Sequence, residues 1–475
     1  MMQTRFDALV IGAGPAGSSA AILLATAGWS VALIEKQAFP RRKVCGECVA
    51  ASNLPLLDAL GIGGDFAAQA GPELKRVALM HGADSVFADL PPAANGRHPW
   101  GRALGRETLD TLLLARARAA GATVLQPWAV QTVGGMVGNH QCTVRQAGGG
   151  QTTLLRAPVV ILAHGSWEPL PEERAALRVV RRGSDLLAFK ANFRGAHLAA
   201  GLLPMLAFDG GYGGMVLAED GLFTLACCVR ADKLDALRRA APGEAAGDVV
   251  EAMLRRQCQG VDKALQGATR CGSWLASGPL RPGVRLRGDD EVFRIGNAAG
   301  EAHPIIGEGM SMALQSAWLL CAHLGAASPQ RAAAGQAQEL AQALAQDRAN
   351  TQRDVQQRYA AAWRHHFAPR LRVAASLAHL AMRPAGARAL MAAFKRFPGL
   401  LTRGAIWGGK LRSVTDSAAV AAQLQRWPLA AALRASQASP ASSPLLPLLP
   451  LVPLVPLVPL LQSPPSQTAI PGEHR

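Results

Sequence analysis

The sequence predicts an α/β fold in which a parallel sheet is interrupted by an inserted antiparallel sheet and followed by a C-terminal helical region. Residues 6–35 have the pattern of strand, glycine-rich turn, helix and second strand, which is a βαβ unit. Between about 170 and 290 the chain changes to short apolar runs separated by glycine turns, a pattern typical of antiparallel strands. From about 331 onward it is rich in Ala, Gln and Arg and helical in pattern.

These changes divide the 475 residues into five expected segments. The parallel-sheet domain is discontinuous, because buried-strand patterns stand on both sides of the antiparallel insert. The segments are 1–170, the first part of the parallel-sheet domain with a small strand insertion near 72–100; 171–290, the antiparallel β domain; 291–330, the return segment; 331–435, a basic helical region; and 436–475, a Pro/Leu-rich disordered tail.

Composition and charge limit the classes of partner. The formal net charge is +16, which favours an anionic surface as partner. Only two Tyr and twelve Phe are present, too few for a base-stacking surface, so we expect no nucleic acid. The eight Cys have no zinc-type spacing, so no metal site is expected, and a reducing cytoplasm is the simplest location. The N-terminus shows no signal-peptide pattern and enters a strand directly.

The first motif is a glycine triplet between the first strand and the first helix. Its first Gly allows the turn, its second admits a pyrophosphate, and its third lets helix and strand pack closely. The helix N-terminus supplies free N–H groups to the phosphates. Glu35, at the end of the second strand, is placed to bond ribose hydroxyls, and Lys36 follows it. The predicted dinucleotide-binding loop comprises Gly12, Ala13, Gly14, Pro15, Ala16 and Gly17.

Two further segments, KVCGE at 43–47 and RIGNAAGEAHPIIGEGM at 294–310, carry a family resemblance together with the glycine triplet. Over about residues 5–330 the chain resembles the flavin-dependent superfamily of the geranylgeranyl reductases and the p-hydroxybenzoate-type aromatic hydroxylases. KVCGE is most similar to the geranylgeranyl-reductase branch, where a Cys-Gly pair lies beside the flavin. The resemblance implies a Rossmann-type FAD-binding domain, assembled from separated segments, with an inserted antiparallel-sheet substrate domain.

The resemblance also implies roles for individual residues. Arg106 would reach FAD from a returning helix, and Cys45-Gly46 would lie beside the flavin. The return segment would meet the ribityl and pyrophosphate groups, and a helix N-terminus there would stabilise negative charge on the reduced ring. Cys45 and Glu308 are the candidate catalytic residues. The return-segment residues expected at the cofactor are Gly296, Asn297, Gly307, Glu308, Gly309 and Met310.

Three features leave alternatives open. The superfamily has Asp-Gly after a buried strand, where this chain has His164-Gly165, and this departure bears on NADPH recognition. NAD(P)H would bind transiently, since there is one dinucleotide motif, and a ferredoxin is another candidate donor. Cys45 and Cys48 form CxxC, either a redox dithiol or incidental neighbours. Tyr212 either faces the substrate or packs in the sheet.

The main functional hypothesis is an FAD-dependent oxidoreductase that reduces a double bond of a lipophilic isoprenoid- or polyketide-like substrate. The alternative is an FAD-dependent monooxygenase that hydroxylates an aromatic or polyketide substrate. A halogenase is disfavoured because the sequence has no WxWxIP segment. From another class, the chain could be a flavin-loaded scaffold at a membrane.

Two C-terminal features suggest partners. Between Asp354 and Asp416 the chain has eleven Lys or Arg and no acidic residue, with apolar residues interleaved. Residues 355–415 therefore either contact an anionic membrane surface peripherally, at the inner face of the membrane, or form a helical cap on the core. In the tail, Pro at every third position from 444 to 459 excludes helix and favours an extended rod, which a partner protein could bind.

Overall fold

The computed structural model describes residues 3–93, 97–165, 182–287, 291–325 and 338–406, with backbone alone for 338–348. These residues form twenty strands and eleven α-helices. The strands are β1 (Ala8–Ile11), β2 (Val31–Ile34), β3 (Cys48–Val49), β4 (Arg76–His81), β5 (Asp84–Asp89), β6 (Arg102–Ala103), β7 (Thr123–Leu125), β8 (Trp128–Met136), β9 (Asn139–Gln146), β10 (Thr152–Ala157), β11 (Val159–Leu162), β12 (Leu186–Arg194), β13 (Leu202–Phe208), β14 (Gly211–Leu217), β15 (Phe223–Arg230), β16 (Thr269–Arg270), β17 (Leu275–Ser277), β18 (Gly283–Val284), β19 (Phe293–Arg294) and β20 (Gly300–Glu301). The helices are α1 (Pro15–Thr26), α2 (Leu54–Leu60), α3 (Gly63–Gln69), α4 (Arg106–Ala119), α5 (Ala231–Ala240), α6 (Ala246–Gln257), α7 (Gln259–Leu265), α8 (Gly309–Gly325), α9 (Gln338–Ala381), α10 (Pro384–Arg396) and α11 (Gly399–Ala405).

A five-stranded parallel sheet brings together strands that are far apart in the chain. Its order is β19-β11-β1-β2-β7, with β1 paired to both β2 and β11. All four residues of β1, β2 and β11 are buried, because helices cover one face and a three-stranded sheet, β10-β9-β8, packs on the other. The carboxyl ends of β1, β2, β11 and β19 meet at one edge, which is where ligands bind in open α/β sheets.

The second large sheet is mainly antiparallel, with the order β16-β12-β15-β14-β13-β4-β5 and β17 paired to β12. The four strands predicted between 186 and 230 are present and adjacent. The expected strand insertion near 72–100 contains β4 and β5, and β4 pairs parallel with β13. Helices α6 and α7 cover one face of this sheet. The predicted fold class, a parallel domain with an antiparallel insert and C-terminal helices, is confirmed.

The long helix α9 packs on the parallel-sheet domain rather than standing apart from it. Tyr359, Trp363 and Phe367 are fully buried there, in the same cluster as α1 and α8. The Tyr359 hydroxyl donates to the Arg294 carbonyl at 2.8 Å, and Arg364 donates to the Leu286 carbonyl at 2.9 Å. The described part of the basic region is therefore a cap on the core.

The structure describes only part of the C-terminal region for which the sequence makes predictions. Residues 407–435 of the basic region and the whole Pro-rich tail, 436–475, lie outside the described residues. In the described ranges, no helix is both long and apolar enough to cross a bilayer. The five expected segment boundaries stay predictions.

Candidate active site

The glycine triplet forms the first wall of the candidate site. Gly12 has φ +103°, and a Cβ there would lie 2.6 Å from the Ala163 carbonyl oxygen. A Cβ on Gly17 would lie 1.8 Å from the Gly12 carbonyl oxygen, so helix α1 can approach β1 this closely only without a side chain. At Gly14 a Cβ would meet nothing nearer than Arg106 Nη2 at 3.7 Å. The N-terminus of α1 is thus open to a phosphate, as the motif predicts.

Glu35 ends β2 beside this loop and is nearly fully buried. Its Oε2 accepts the Ala13 N–H at 2.9 Å, and its Oε1 accepts the Gln37 N–H at 2.9 Å. Each oxygen retains a lone pair, so a fixed carboxylate faces the position expected for ribose hydroxyls. Lys36 is exposed and does not line the cavity.

A cluster of two arginines and one aspartate stands next to the loop. Arg106 donates from Nε and Nη2 to the two Asp110 oxygens, both at 2.7 Å. Burial acts to lower the pKa of Arg106, but Asp110 and Cys45 outweigh it, so that pKa is raised and the cation persists. Arg41 lies 3.5 Å from Asp110 and 3.6 Å from Glu35.

The Arg41 guanidinium provides the clearest test of whether a cofactor fits. Its Nε and Nη1 are buried and have no hydrogen-bond acceptor among the described residues. Buried donors left unpaired cost about 1–3 kcal/mol each, so an anionic ligand is the expected acceptor. With the open N-terminus of α1, this donor set fits the diphosphate and ribose of a dinucleotide. The sequence predictions missed Arg41, although RRK at 41–43 precedes the KVCGE segment.

The return segment forms a second wall of the candidate site, next to the glycine loop. Gly296 has φ +56°, and a Cβ there would lie 3.0 Å from the Ala16 Cβ. Its N–H donates to Ser316 Oγ at 2.8 Å, which ties the segment to α8. The backbone carbonyl of Asn297 accepts Arg285 Nη1 at 2.8 Å. A Cβ on Gly309 would contact nothing within 4 Å, so the start of α8 is open.

Most predicted cofactor residues line one cavity, but some do not. The lining residues among them are Gly12, Gly14, Pro15, Ala16, Glu35, Cys45, Gly46, Arg106, Gly296, Asn297, Gly307, Gly309 and Met310. Ala13 and Gly17 support the loop from behind it. Glu308 is fully buried, lies 3.3 Å from Arg370 in an ion pair, and does not line the cavity. Its catalytic role stays a prediction.

Both cysteines of the CxxC segment line the cavity, with Cys45 half-buried and Cys48 buried. Neither forms a disulfide. The Glu47 N–H lies 3.3 Å from Cys45 Sγ, so the thiol accepts a backbone donor beside Arg106. His164 also lines the cavity, with Nδ1 3.0 Å from the Gly165 carbonyl. The dithiol and the NADPH question stay open as predictions.

A buried polar network joins the KVCGE segment to the antiparallel sheet. Glu47 has φ +58° and is 2% exposed. Its Oε1 accepts Lys190 Nζ and, at 3.2 Å, the Arg106 N–H. Its Oε2 accepts Thr224 Oγ1 at 2.5 Å, and Thr224 in turn accepts Asn192 Nδ2. Sequence reasoning missed this network, although a Lys in the middle of the apolar strand LLAFKANF is a detectable signal.

The far end of the cavity is apolar. The cavity has a volume of about 390 Å³ and extends from the glycine loop to the antiparallel sheet and the last helices. Its apolar walls are Val77, Leu79, Leu203, Met205, Met215, Ile305, Leu377, Leu390, Phe394 and Leu401.

One tyrosine–histidine pair stands in this apolar surrounding. Tyr212 lines the cavity, and its hydroxyl lies 3.2 Å from Nδ1 of His303. Burial, with nearby Cys228 and Glu301, raises the pKa of Tyr212. Burial and then the neighbouring His379 lower the pKa of His303 to about 4. Both groups are therefore neutral near pH 7, and Nδ1 of His303 can accept a hydrogen bond from the tyrosine hydroxyl. Tyr212 is 1% exposed and packs in a core cluster with Leu186 and Ala188, and it also lines the cavity. Both alternatives left open by the sequence therefore hold in part.

Known proteins are similar to this chain in sequence. A tryptophan 2-halogenase of Chondromyces crocatus is 36% identical over 118 residues, which are 25% of this chain and 22% of that protein. A digeranylgeranylglycerophospholipid reductase of Methanosphaerula palustris is 34% identical over 165 residues, 34% of this chain and 39% of that protein. The chain therefore spans less than two thirds of the length of either relative.

Solved structures share the fold at lower identity. The flavin-dependent halogenase CmlS superposes with a TM-score of 0.61 and 21% identity, covering 92% of this chain and 72% of that one. PqsL of Pseudomonas aeruginosa, described as a probable FAD-dependent monooxygenase, has a TM-score of 0.59 and 18% identity, covering 84% of this chain and 99% of that one. For the geranylgeranyl-reductase branch suggested by KVCGE, the match to the reductase of Methanosphaerula palustris covers about a third of this chain.

The family model for the FAD binding domain matches residues 5–358, which is most of the described structure. Its range includes the glycine loop, Glu35, Arg106 and the return segment. The open N-terminus of α1, the unpaired Arg41 donors and this match agree on one cofactor. The chain belongs to the FAD binding domain family, and FAD is its cofactor.

Proposed function

We propose that this protein is an FAD-dependent monooxygenase that hydroxylates an apolar small molecule with an ionisable hydroxyl, such as a phenol or an enol. The observation that carries the proposal is Tyr212, which lines an apolar cavity continuous with the FAD loop and has its hydroxyl 3.2 Å from Nδ1 of the buried His303. The monooxygenase and halogenase folds among the structural neighbours support it more than reduction of a double bond.

The redox chemistry of such a reaction is supplied by the flavin when it is bound. One atom of dioxygen enters the substrate, and a two-electron donor such as NAD(P)H balances reduction of the other atom to water. Arg41, Arg106 and the N-terminus of α1 would hold the anionic part of the cofactor. The apolar walls exclude water from the reacting end, which strengthens polar interactions there.

The chain's own contribution to the chemistry is a hydrogen bond to the substrate hydroxyl. The Tyr212 hydroxyl can accept a hydrogen bond from a phenol or enol while donating its own proton to Nδ1 of His303. Both groups are neutral near pH 7, and the lowered pKa of His303 makes it a weak base, so the pair orients the substrate hydroxyl rather than removing its proton. A substrate hydroxyl that donates a hydrogen bond is more electron-rich than a free one, which favours oxygen transfer to the substrate.

Reduction of an isoprenoid double bond is the second candidate. The partial match to the archaeal reductase and the KVCGE segment favour it. Halogenation is a third outcome, which the structural neighbours suggest and the missing WxWxIP segment opposes.

One experiment separates the three. The FAD-loaded protein is reduced anaerobically with NADPH, then mixed with isotopically labelled dioxygen, chloride and a panel of phenols, enolised polyketides and prenyl compounds. Products are identified by mass spectrometry. We expect incorporation of one labelled oxygen atom. Gain of two hydrogen atoms, or exchange of hydrogen for chlorine, would refute the proposal in favour of reduction or halogenation.

The role of Tyr212 is tested separately. Tyr212→Phe should retain FAD and lower the turnover by about 10²-fold, because the hydrogen bond to the substrate hydroxyl is lost. Tyr359→Phe is the control, since its hydroxyl donates to the Arg294 carbonyl and Tyr359 does not line the cavity. It should lose stability but keep turnover. Equal turnover in Tyr212→Phe and the parent protein would exclude a role for the Tyr212 hydroxyl.

A further inference from the structure

The last two described helices have one face on the cavity and another toward solvent. We call residues 383–406, which include α10 and α11, the C-terminal corner. Its inner face buries Ala387, Met391 and Leu401 against β4 and β5. Leu390 and Phe394 line the cavity. The wall of the apolar chamber is therefore only one helix thick here.

The outer face of the C-terminal corner exposes large apolar side chains. Phe397 is 55% exposed and directly follows α10, and Leu400 is 40% exposed in the first turn of α11. All six residues from 395 to 400 are exposed. Single exposed apolar residues are ordinary, but two large ones at the tip of a helical turn form an anchor for an interface.

Four exposed arginines lie on the C-terminal corner, two of them close in sequence to this apolar tip and two toward the start of α10. Arg383, Arg388, Arg396 and Arg403 are exposed, and none forms an ion pair with another described residue. The Arg396 guanidinium lies 4.9 Å from the centre of the Phe397 ring.

The nearest acidic side chains do not cancel this charge. Asp84 pairs with Lys395 at 2.6 Å and Asp89 with Arg76 at 3.6 Å, so each has its own cation. No Asp or Glu occurs in the sequence between 354 and 416. The C-terminal corner thus presents an apolar tip with a cationic rim.

The other part of the basic region has most of its large apolar side chains in the core. Tyr359, Trp363 and Phe367 are buried in the FAD domain, whereas Leu380 is 40% exposed, and exposed arginines occur on α9 as well. Among the described residues of 355–415, the C-terminal corner combines two large exposed apolar side chains with exposed arginines.

We propose that the C-terminal corner docks on an anionic lipid bilayer. Phe397 and Leu400 enter the headgroup region, and the four arginines bind lipid phosphates, each cation strengthening attraction to the anionic leaflet. A lipophilic substrate dissolved in the bilayer would then enter past Leu390 and Phe394. That last step rests on the proposed function, whereas docking itself does not.

The test measures binding of the full-length, FAD-loaded protein to vesicles by flotation, without any assay of activity. Vesicles of mixed phosphatidylglycerol and phosphatidylcholine are compared with pure phosphatidylcholine. We expect binding to the anionic vesicles, and a loss on the order of 10²-fold in the variant Arg388→Gln/Arg396→Gln/Arg403→Gln. The variant Phe397→Ser/Leu400→Ser should lose binding on the order of tenfold, with flavin content unchanged.

The matched control removes three exposed arginines elsewhere, as Arg238→Gln/Arg239→Gln/Arg256→Gln on α5 and α6. It lowers the net charge equally and should keep vesicle binding. Equal losses in the two triple variants would show attraction by net charge alone and overturn the proposal. Absence of binding to anionic vesicles, or stronger binding to duplex DNA that the corner variants abolish, would also overturn it. None of these outcomes depends on which reaction the enzyme performs.

Discussion

At the cofactor end of the cavity the walls are glycine turns, helix N-termini and charged side chains, whereas at the opposite end they are apolar residues of a sheet and three helices. The cofactor end is built from backbone that must approach a ligand closely. The apolar end is built from side chains that exclude water around the Tyr212–His303 pair. The first end specifies a cofactor by shape and charge, whereas under the proposed function the second end would select a substrate mainly by apolarity.

The largest effect should come from filling the closest backbone contact at the cofactor end. Gly17→Ala places a Cβ 1.8 Å from the Gly12 carbonyl oxygen, so α1 must move away from β1. We expect a loss of about 5 kcal/mol or more of the free energy of unfolding, together with loss of bound FAD. Urea unfolding and flavin absorbance measure both. Gly134→Ala, where a Cβ would meet nothing within 4 Å, is the control. Normal flavin content in Gly17→Ala would contradict the required close approach.

The buried Glu47–Lys190 pair, which joins the KVCGE segment to the antiparallel sheet, should be the next most sensitive to substitution. Lys190→Met leaves the Glu47 carboxylate buried without its cation, and we expect a cost of about 3–5 kcal/mol in the free energy of unfolding. Lys233→Met is the matched control, because its 2.6 Å pair with Asp209 is exposed and worth at most about 1 kcal/mol. Similar losses in the two variants, measured by urea unfolding, would argue against a structural joint.

A smaller effect is expected from Arg41 at the cofactor end, whose Nε and Nη1 have no acceptor among the described residues. Arg41→Gln removes buried donors for which an anionic ligand is the expected acceptor. The Kd for FAD should therefore rise about tenfold, which is about 1.4 kcal/mol of binding free energy. Arg42→Gln serves for comparison, since Arg42 donates to the Ser273 carbonyl and does not line the cavity. Fluorescence titration of the apoprotein with FAD gives both values. An unchanged Kd in Arg41→Gln would remove Arg41 from the cofactor site.

An effect of similar size is expected from pH at the apolar end. The pKa of His303 is about 4 in the folded protein, because of burial and then His379, and near 6.5 when unfolded. Below pH 6.5 the unfolded chain therefore binds more protons, so this contribution to stability is complete above that pH and is lost as pH falls toward 4. We expect a loss of about 1–2 kcal/mol, after allowance for solvent near the exposed His379.

The control for this pH effect is His303→Asn, which does not titrate in that range. The slope of stability against pH, from urea unfolding between pH 4 and 7, should be reduced in the variant. An identical slope in both proteins would assign the acid sensitivity to other groups.

The elements that depend on interactions between residues close together in the chain could be predicted from the sequence. The cofactor loop was predicted from Gly12, Gly14 and Gly17 because its strand, turn and helix are adjacent in the chain. The spacing from this loop to Glu35 is set by one βαβ unit. The alternation of apolar residues and glycine turns predicted the antiparallel insert for the same reason.

Contacts between segments that are distant in the chain could be identified from the tertiary structure but not from the sequence. The Glu47–Lys190 pair joins residues 143 positions apart, and Tyr212 meets His303 across 91 positions. Glu308 was expected at the flavin from its place in a Gly-Glu-Gly turn, but the side chain turns toward Arg370 on α9. The basic region carried two alternatives, contact with an anionic membrane surface or a helical cap on the core. The buried Trp363 and Phe367 pack α9 on the core, and the membrane contact stays a prediction. Long-range pairing depends on how the sheets and helices pack, and no local pattern in one chain encodes it.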